Sequence, residues 1–290
     1  MLNDILSLIR IRQWYKNLVI FLPIVFSGNL FDMHLLALTI IGFIAFALAS
    51  SVNYIINDII DCHRDRKHPE KSLRPIASGR ISIVYGSMLA GFLVLGSLII
   101  SYALNPVFCG VVFAFIMLMQ AYTFLLKHET FVDVLVVASG FVIRTVAGSM
   151  VLLENGGPYV DISPWLILCT FFLALFMVVG KRKADIMLMG KKAVAHKRVL
   201  KSYSQTILAY LLYLTSTLLL ISYALYVILN HSLIFLITLP FILYIVFRYI
   251  CIVEKHSKIA RHPETAYRDK RLCIAVLLCG VLIVALLYLG

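Results

Sequence analysis

Charged residues are scarce in this sequence, and acidic residues are the scarcest of them. Asp, Glu, Lys and Arg together make up 14% of the 290 residues, whereas hydrophobic residues make up 62%. Soluble domains carry about 25% charged residues. The composition therefore excludes an ordinary soluble protein and predicts a polytopic membrane protein.

Paired cysteines are also missing. The six cysteines contain no CxxC motif, and most of them lie inside apolar runs. Nothing in this pattern argues for a disulfide framework or a zinc site, and we expect the cysteines to serve in packing. The net charge of +12 has its first explanation in the basic cytoplasmic loops of membrane proteins, so we expect no nucleic-acid partner.

Long runs of apolar residues are abundant in the sequence. About 20 apolar residues cross a bilayer as a helix. The runs are continuous rather than alternating, so helices are expected and a membrane β-barrel is not. The sequence predicts an all-α membrane protein with nine transmembrane helices, at residues 17–31, 34–56, 83–104, 106–126, 131–153, 163–180, 204–229, 232–252 and 272–289.

Basic residues orient these spans. Of the 26 Lys and Arg residues, only Arg144 and Arg248 lie within a predicted span, and the others fall in alternate connections. The positive-inside rule then places the N-terminus and the polar connections in the cytoplasm. We expect a multi-pass protein of the inner (plasma) membrane. It would form a single domain over residues 1–290, with a polar cavity that opens to the cytoplasmic side.

An acidic motif follows the second predicted span, in NDIIDCHRDRKHPEKSLRPIASG at residues 57–79. Asp58, Asp61 and Asp65 are spaced by three and then four residues, so on a continuing helix their carboxylates share one face. Oxygen ligands of this kind suit Mg2+, which commonly bridges carboxylates and substrate phosphates. A solvated loop of mixed charge is the alternative. Five cations follow that are suited to phosphate oxygens: Arg64, Arg66, Lys67, Lys71 and Arg74.

A basic motif follows the sixth span, where Lys181, Arg182, Lys183 and Asp185 come directly after apolar sequence. Opposite a carboxylate face these cations would bind anionic groups of a substrate. A loop that only orients the protein in the membrane is the alternative.

Three further cations lie in or beside spans. Arg144 stands near the middle of the fifth span, where an arginine costs at least ~2.5 kcal/mol and must face a polar interior or an anion. A structural ion pair is the alternative there. Lys127, which follows Tyr122, and Lys16, in RIRQWYKN, are candidates for substrate contact, with interfacial anchoring as the alternative.

These residues resemble the UbiA superfamily of intramembrane prenyltransferases. Asn57, Asp58, Asp61 and Asp65 match its NDxxDxxxD motif without a gap. The superfamily usually has a second, DxxxD motif, where this chain has KRKAD at residues 181–185. RQWYKN, GFVIRTVAG, GKRKAD and PETAYRDKRL make it similar to the decaprenyl-phosphate phosphoribosyltransferase branch along nearly its whole length.

The resemblance implies a nine-helix bundle that transfers phosphoribosyl from 5-phosphoribosyl-1-diphosphate to a polyprenyl phosphate and releases diphosphate. Mg2+ would be the cofactor, held by Asp58, Asp61 and Asp65, and Lys181 would join Asp58 and Asp61 in catalysis. A homo-oligomer is compatible with the sequence. The residues expected to bind the substrates are Asn57, Lys16, Arg64, Lys71, Arg74, Tyr122, Lys127, Arg144, Arg182 and Asp185.

Two other functions stay open at this point. One is transfer of a prenyl group from an allylic diphosphate to an aromatic or other acceptor. The other is a transporter or lipid flippase, which would need ionisable groups near the bilayer midplane. Apart from Arg144, the predicted spans carry almost none.

Overall fold

The computed structural model describes residues 2–67, 70–153, 162–189, 198–255 and 258–289, and in these residues all regular structure is helical. Short 3-10 segments connect several of the α-helices. In chain order the α-helices are α1 (Leu2–Leu8), α2 (Leu22–Phe26), α3 (Met33–Ile60), α4 (Cys62–Asp65), α5 (Ile83–Leu104), α6 (Pro106–Phe124), α7 (Val132–Val151), α8 (Pro164–Met189), α9 (Gln205–Asn230), α10 (Leu239–Glu254), α11 (Lys258–Arg261) and α12 (Lys270–Tyr288).

Eight helical segments in the described part of the chain are long and apolar enough to cross a membrane. They correspond to the second to ninth predicted spans, so the all-helical membrane class is confirmed. Two of them run further than hydropathy predicts: α3 continues to Ile60, and α8 continues to Met189. The acidic and basic motifs therefore begin on rigid helices rather than in loops.

The first predicted span, residues 17–31, has a different structure. A 3-10 helix at Ile11–Phe21 passes into the short α2, with Pro23 in the first turn of α2. Proline suits a helix start because it has no N–H to donate and its φ is already helical. Neither piece is as long as a membrane-crossing helix, so this span is not among the eight.

Capping side chains mark where several of these helices begin. Asp32 accepts from the backbone N–H groups of His34 and Leu35 at the start of α3, and Asn105 accepts from those of Val107 and Phe108 at the start of α6. Such caps satisfy N–H groups that have no partner within the helix. These capping residues therefore determine where α3 and α6 begin.

The chain divides into two compact units, and the division falls within α7. The first comprises Met1–Leu126 and Ile143–Asp161, and it contains the acidic motif. Its core includes Phe46, whose ring centroid lies 4.7 Å from that of Phe115. This packing fixes α3 against α6.

The second unit comprises Lys127–Val142 and Ile162–Gly290, and it contains the basic motif. The ring of Tyr249 packs 5.0 Å from that of Phe176, and its hydroxyl donates to the carbonyl of Met177 at 3.1 Å. A Cβ on Gly180 would lie 2.8 Å from the Tyr249 ring. Glycine at this position therefore lets α10 lie close to α8 just before Lys181. The single-domain organisation stays a prediction.

A second close approach occurs at Gly148 in α7. A Cβ there would lie 2.1 Å from the backbone oxygen of Ile20 and 3.0 Å from Pro23. Small residues allow membrane helices to approach this closely.

We expect Gly148→Ala to destabilise the protein by about 1–3 kcal/mol, because the backbone at Ile20 must move to admit the methyl group. The matched control is Gly110→Ala in α6, where a Cβ would meet nothing within 4 Å. Thermal unfolding in detergent measures both variants. Equal melting temperatures for the two would contradict the steric argument.

Candidate functional site

The acidic motif lies where α3 ends and α4 begins. Asp58 is in the last turn of α3, Asp61 follows it, and Asp65 ends α4. The N–H of Asp61 donates to the carbonyl of Asn57 at 2.9 Å, and that of Asp65 donates to the carbonyl of Asp61 at 2.8 Å. The backbone thus keeps a helical course through the motif, as the spacing predicts.

Two of the three carboxylates converge on one nitrogen. Asp58 and Asp65 are 2% and 1% exposed, and Nη1 of Arg74 lies 2.9 Å from Oδ1 of Asp58 and 2.6 Å from Oδ2 of Asp65. Buried carboxylates of like charge repel strongly unless a cation lies between them. Arg74 supplies that cation in this structure.

Arg10 and Lys71 add positive charge to the same site. Nη2 of Arg10 lies 2.5 Å from Oδ1 of Asp58, and Nζ of Lys71 lies 3.7 Å from Oδ1 of Asp65. Burial lowers the pKa of Lys71, and the charge of Arg74 acts in the same direction while that of Asp65 opposes it. The site therefore holds two deeply buried acids among three cations.

The third carboxylate stands apart from this pair. Asp61 is near Arg64, with 3.9 Å between the charged atoms, and its side chain is more exposed than those of Asp58 and Asp65. In the described part of the chain, no three Asp, Glu, His or Cys side chains are placed to hold one metal ion. The structure brings together two of the three predicted ligands.

These residues nevertheless fit a magnesium ion. Mg2+ is usually bound by one or two protein carboxylates, and water and substrate phosphates complete its octahedron. Asp58 and Asp65 supply two carboxylate oxygens that already face a single cationic nitrogen. A divalent ion between them would satisfy the same electrostatic requirement that Arg74 satisfies here.

Arg144 is buried in the same unit, within α7. Its Nε donates to Oδ1 of Asn17 at 2.7 Å, and its guanidinium lies 4.5 Å from the ring centroid of Phe115. Ser50, on α3, donates to the same Asn17 oxygen at 3.1 Å. The arginine therefore faces a polar interior, as its position in the span requires.

Further polar side chains lie one turn along α3, because Asn53 follows Ser50 by three residues on the same helix. Gln120 Nε2 donates to Asn53 Oδ1 at 2.5 Å. Among the residues that the structure describes, three buried side-chain atoms have no hydrogen-bond partner: Nδ2 of Asn17, Nδ2 of Asn53 and Oε1 of Gln120. Buried polar groups rarely stay unpaired, so water or a ligand is expected beside them. We refer to Asn17, Ser50, Asn53, Gln120 and Arg144 as the buried polar column.

The basic motif in the second unit is engaged with acids. Nη2 of Arg182 lies 3.1 Å from Oδ2 of Asp133. The hydroxyl of Tyr203 donates to the other oxygen of this carboxylate, Oδ1, at 2.8 Å. Burial raises the pKa of Tyr203, and its bond to Asp133 acts in the same direction. Arg182, Asp133 and Tyr203 therefore form a buried structural network.

The neighbouring residues of the motif are paired in the same way. Lys183 bonds to Glu254, and Nε of Arg261 lies 3.0 Å from Oδ1 of Asp185. Burial alone would raise the pKa of Glu264, but hydrogen bonds from its own backbone and from His262, and the charge of Lys181, lower it. The three cations of the basic motif, Lys181, Arg182 and Lys183, therefore all have carboxylates nearby.

The other predicted site residues are placed as follows. Asn57 is half-buried in the last turns of α3, and Tyr122 is half-buried near the end of α6. Lys16 donates to Oε1 of Gln13 at 2.5 Å. Lys127 is 9% exposed.

Sequence reasoning missed Arg10. Its φ of 53° is left-handed, which is rare for a residue with a side chain. This turn directs the chain from α1 into the 3-10 helix and brings the guanidinium to Asp58. Motif spacing carries no signal for it, because 48 residues separate the partners.

The profile of the UbiA prenyltransferase family matches residues 19–267. The chain belongs to this family. The finding confirms the resemblance seen in the NDxxDxxxD motif. A solved UbiA homologue from Archaeoglobus fulgidus, bound to GPP and Mg2+, superimposes with a TM-score of 0.72 over 99% of this chain and all of that one, at 19% identity. The two proteins therefore share the UbiA fold.

Two bacterial members of the family are more similar in sequence. The decaprenyl-phosphate phosphoribosyltransferase of Mycolicibacterium smegmatis is 34% identical over 230 residues, which is 78% of this chain and 70% of that enzyme. The enzyme of the same name from Mycobacterium tuberculosis is 33% identical over 226 residues, which is 77% of this chain and 73% of the relative.

We expect Arg74→Met to destabilise the protein by on the order of 3 kcal/mol, because two buried carboxylates lose the cation between them. If these carboxylates fit Mg2+, millimolar Mg2+ will raise the melting temperature of this variant more than that of the wild type. Thermal unfolding with MgCl2, and with NaCl at equal ionic strength, measures both effects.

Arg64→Met is the matched control, because Arg64 is half-exposed and pairs with the more exposed acid, Asp61, at 3.9 Å. A comparable loss in this control, or a Mg2+ effect no larger than that of NaCl, would contradict the pairing described here.

Proposed function

We propose that this UbiA-family chain transfers the 5-phosphoribosyl group of 5-phosphoribosyl-1-diphosphate to a polyprenyl phosphate of the decaprenyl type and releases diphosphate. The observation that carries the proposal is the pair of buried carboxylates, Asp58 and Asp65, facing one cation at the end of α3. The phosphoribosyltransferases that match most of the chain support this choice of substrates.

The reaction breaks the bond between the anomeric carbon and the diphosphate and forms a bond from that carbon to a lipid phosphate oxygen. Mg2+, when bound, neutralises the charge that develops on the leaving diphosphate. The acceptor is already an anion at neutral pH, since phosphate monoesters have a second pKa near 6. No general base is therefore required.

Asp58 and Asp65 would hold the metal, and Asp61 would be the third acid of the motif beside them. Lys71 and Arg74 lie beside these acids and would bind the diphosphate. Arg74 would exchange its two carboxylates for phosphate oxygens of the donor when a metal occupies the site, because its guanidinium suits a bidentate contact with such oxygens.

The buried polar column is the proposed site for an anionic group of the second substrate. Ser50 and Asp58 are eight residues apart on α3, which is about 12 Å along the helix. The unsatisfied amides of Asn17 and Asn53 can donate to such a group beside Arg144. Lys16 and Lys127 remain the other candidates for the lipid phosphate.

Prenyl transfer from an allylic diphosphate is the second candidate. Family membership and the homologue bound to GPP and Mg2+ favour it, because the same carboxylates would hold Mg2+ for that diphosphate. The chain lacks the second DxxxD motif, however, and its Asp185 is paired with Arg261. This disfavours a second metal-binding acid cluster.

The proposal includes the membrane arrangement. The N-terminus and the acidic motif would face the cytoplasm, as the distribution of basic residues predicts. The segment of residues 17–31 would count as a ninth, irregular span. A water-soluble sugar diphosphate would then reach the site from the cytoplasm while the lipid acceptor stays in the bilayer.

We expect Asp58→Asn and Asp61→Asn each to reduce turnover at least a hundredfold while the protein still folds. Labelled 5-phosphoribosyl-1-diphosphate with a polyprenyl phosphate, in the purified full chain with Mg2+, measures the transfer. Asp32→Asn, at the opposite end of α3, is the control, because asparagine caps helices as well as aspartate does. Label entering lipid from an allylic diphosphate alone would overturn the proposal.

Lys181→Ala should raise the KM for the sugar diphosphate several-fold more than the KM for the lipid. The reason is that Lys181 would bind the additional 5-phosphate of the donor. Steady-state kinetics with each substrate varied in turn measures the two values, and Lys255→Ala, an exposed lysine, is the control. The reverse pattern would assign this lysine to the lipid.

A further inference from the structure

Helices α10 and α12 leave a groove between them, within the second unit. Its volume is about 420 Å3. The acidic motif belongs to the first unit. The residues that line this α10–α12 groove are Pro240, Phe241, Tyr244, Arg271, Ile274, Ala275 and Leu278.

The walls of the groove are apolar and accessible. Tyr244 is 46% exposed, Ile274 58% and Leu278 49%. Both helices are candidate membrane spans. From Arg271 to Leu278 the groove follows two turns of α12, or about 10 Å. That length fits the upper part of an acyl chain within one leaflet of a ~30 Å hydrocarbon layer.

One end of the groove is cationic. Arg271 lines it in the first turn of α12, and Arg268 and Lys270 are exposed beside it. The nearby acid, Asp269, is engaged elsewhere: it accepts from Nη2 of Arg248 at 2.7 Å and caps α12 through the N–H of Leu272 at 3.0 Å. Three exposed cations therefore stand at this end with their adjacent carboxylate already bonded.

We propose that the α10–α12 groove binds an anionic phospholipid of the bilayer. Its phosphate would contact Arg271, with Lys270 and Arg268 close by, and one acyl chain would lie against Phe241, Ile274 and Leu278. The cations favour an anionic head group over a zwitterionic one. A bilayer phospholipid also matches the short groove better than a polyprenyl phosphate, whose chain is far longer than two helical turns.

The proposal is tested by native mass spectrometry of the full chain in detergent, titrated with phosphatidylglycerol or phosphatidylcholine. We expect the wild type to retain phosphatidylglycerol more tightly than phosphatidylcholine. Arg271→Gln should weaken phosphatidylglycerol binding about fivefold, the effect of removing one cation near an anionic head group. Leu278→Trp should weaken binding of both lipids by filling the groove.

Two matched controls separate the groove from general surface effects. Leu277→Trp changes an exposed neighbour on α12 that does not line the groove, and Lys255→Gln removes an exposed cation at the end of α10. Both should bind phosphatidylglycerol like the wild type. Unchanged binding in Arg271→Gln and Leu278→Trp, or equal retention of the two phospholipids, would overturn the proposal.

A third lipid, a polyprenyl phosphate, separates this groove from the acceptor site. Under the proposal, it leaves phosphatidylglycerol bound, and its own binding is insensitive to Leu278→Trp. Displacement of phosphatidylglycerol with the same dependence on Arg271 and Leu278 would assign the groove to the acceptor and overturn the phospholipid assignment.

Discussion

The central constraint in the first unit is the charge balance around two buried carboxylates. Asp58 and Asp65 are almost fully enclosed, and an ionised carboxylate in such surroundings is stable only beside a cation. Arg74 provides it by reaching from the segment before α5 back to the end of α3. The folded path of the acidic motif thus depends on this ion pair. The same feature makes the pair suitable for Mg2+, which would replace one shared cation with another.

The two charged motifs balance their buried charges in different ways. In the acidic motif two acids share Arg74, so a divalent ion can compete for the carboxylate oxygens and a phosphate can compete for the arginine. In the basic motif Arg182, Lys183 and Asp185 each pair with a partner from another segment of the chain. These pairs hold α8 to its neighbours within the second unit. The basic motif therefore has a structural role as well as the substrate-binding role proposed for Lys181.

The sequence predicts the helices well because hydropathy and helix length follow directly from the bilayer. It predicts their ends less well: α3 and α8 continue as helices into charged sequence, where hydropathy falls but backbone hydrogen bonding does not. The first predicted span is a 3-10 helix followed by the short α2, and Pro23 lies in the first turn of α2. The spacing of the acids predicted a shared face, and the backbone does stay helical through the motif, yet Asp61 is more exposed than Asp58 and Asp65. Arg10 lay beyond prediction, since a left-handed turn and a partner 48 residues away leave no periodic pattern.

The phosphoribosyl group proposed for transfer agrees with a balance of charges in the site. An allylic diphosphate has one anionic end, so two acidic motifs with their metal ions can bind it. A phosphoribosyl diphosphate has a second anionic end, and the lipid acceptor brings a third anionic group. A site for these substrates needs more cations and fewer carboxylates than a prenyltransferase site. This chain differs from the usual family pattern in that direction: KRKAD stands in place of DxxxD, and Arg10, Lys71 and Arg74 surround the acids that remain.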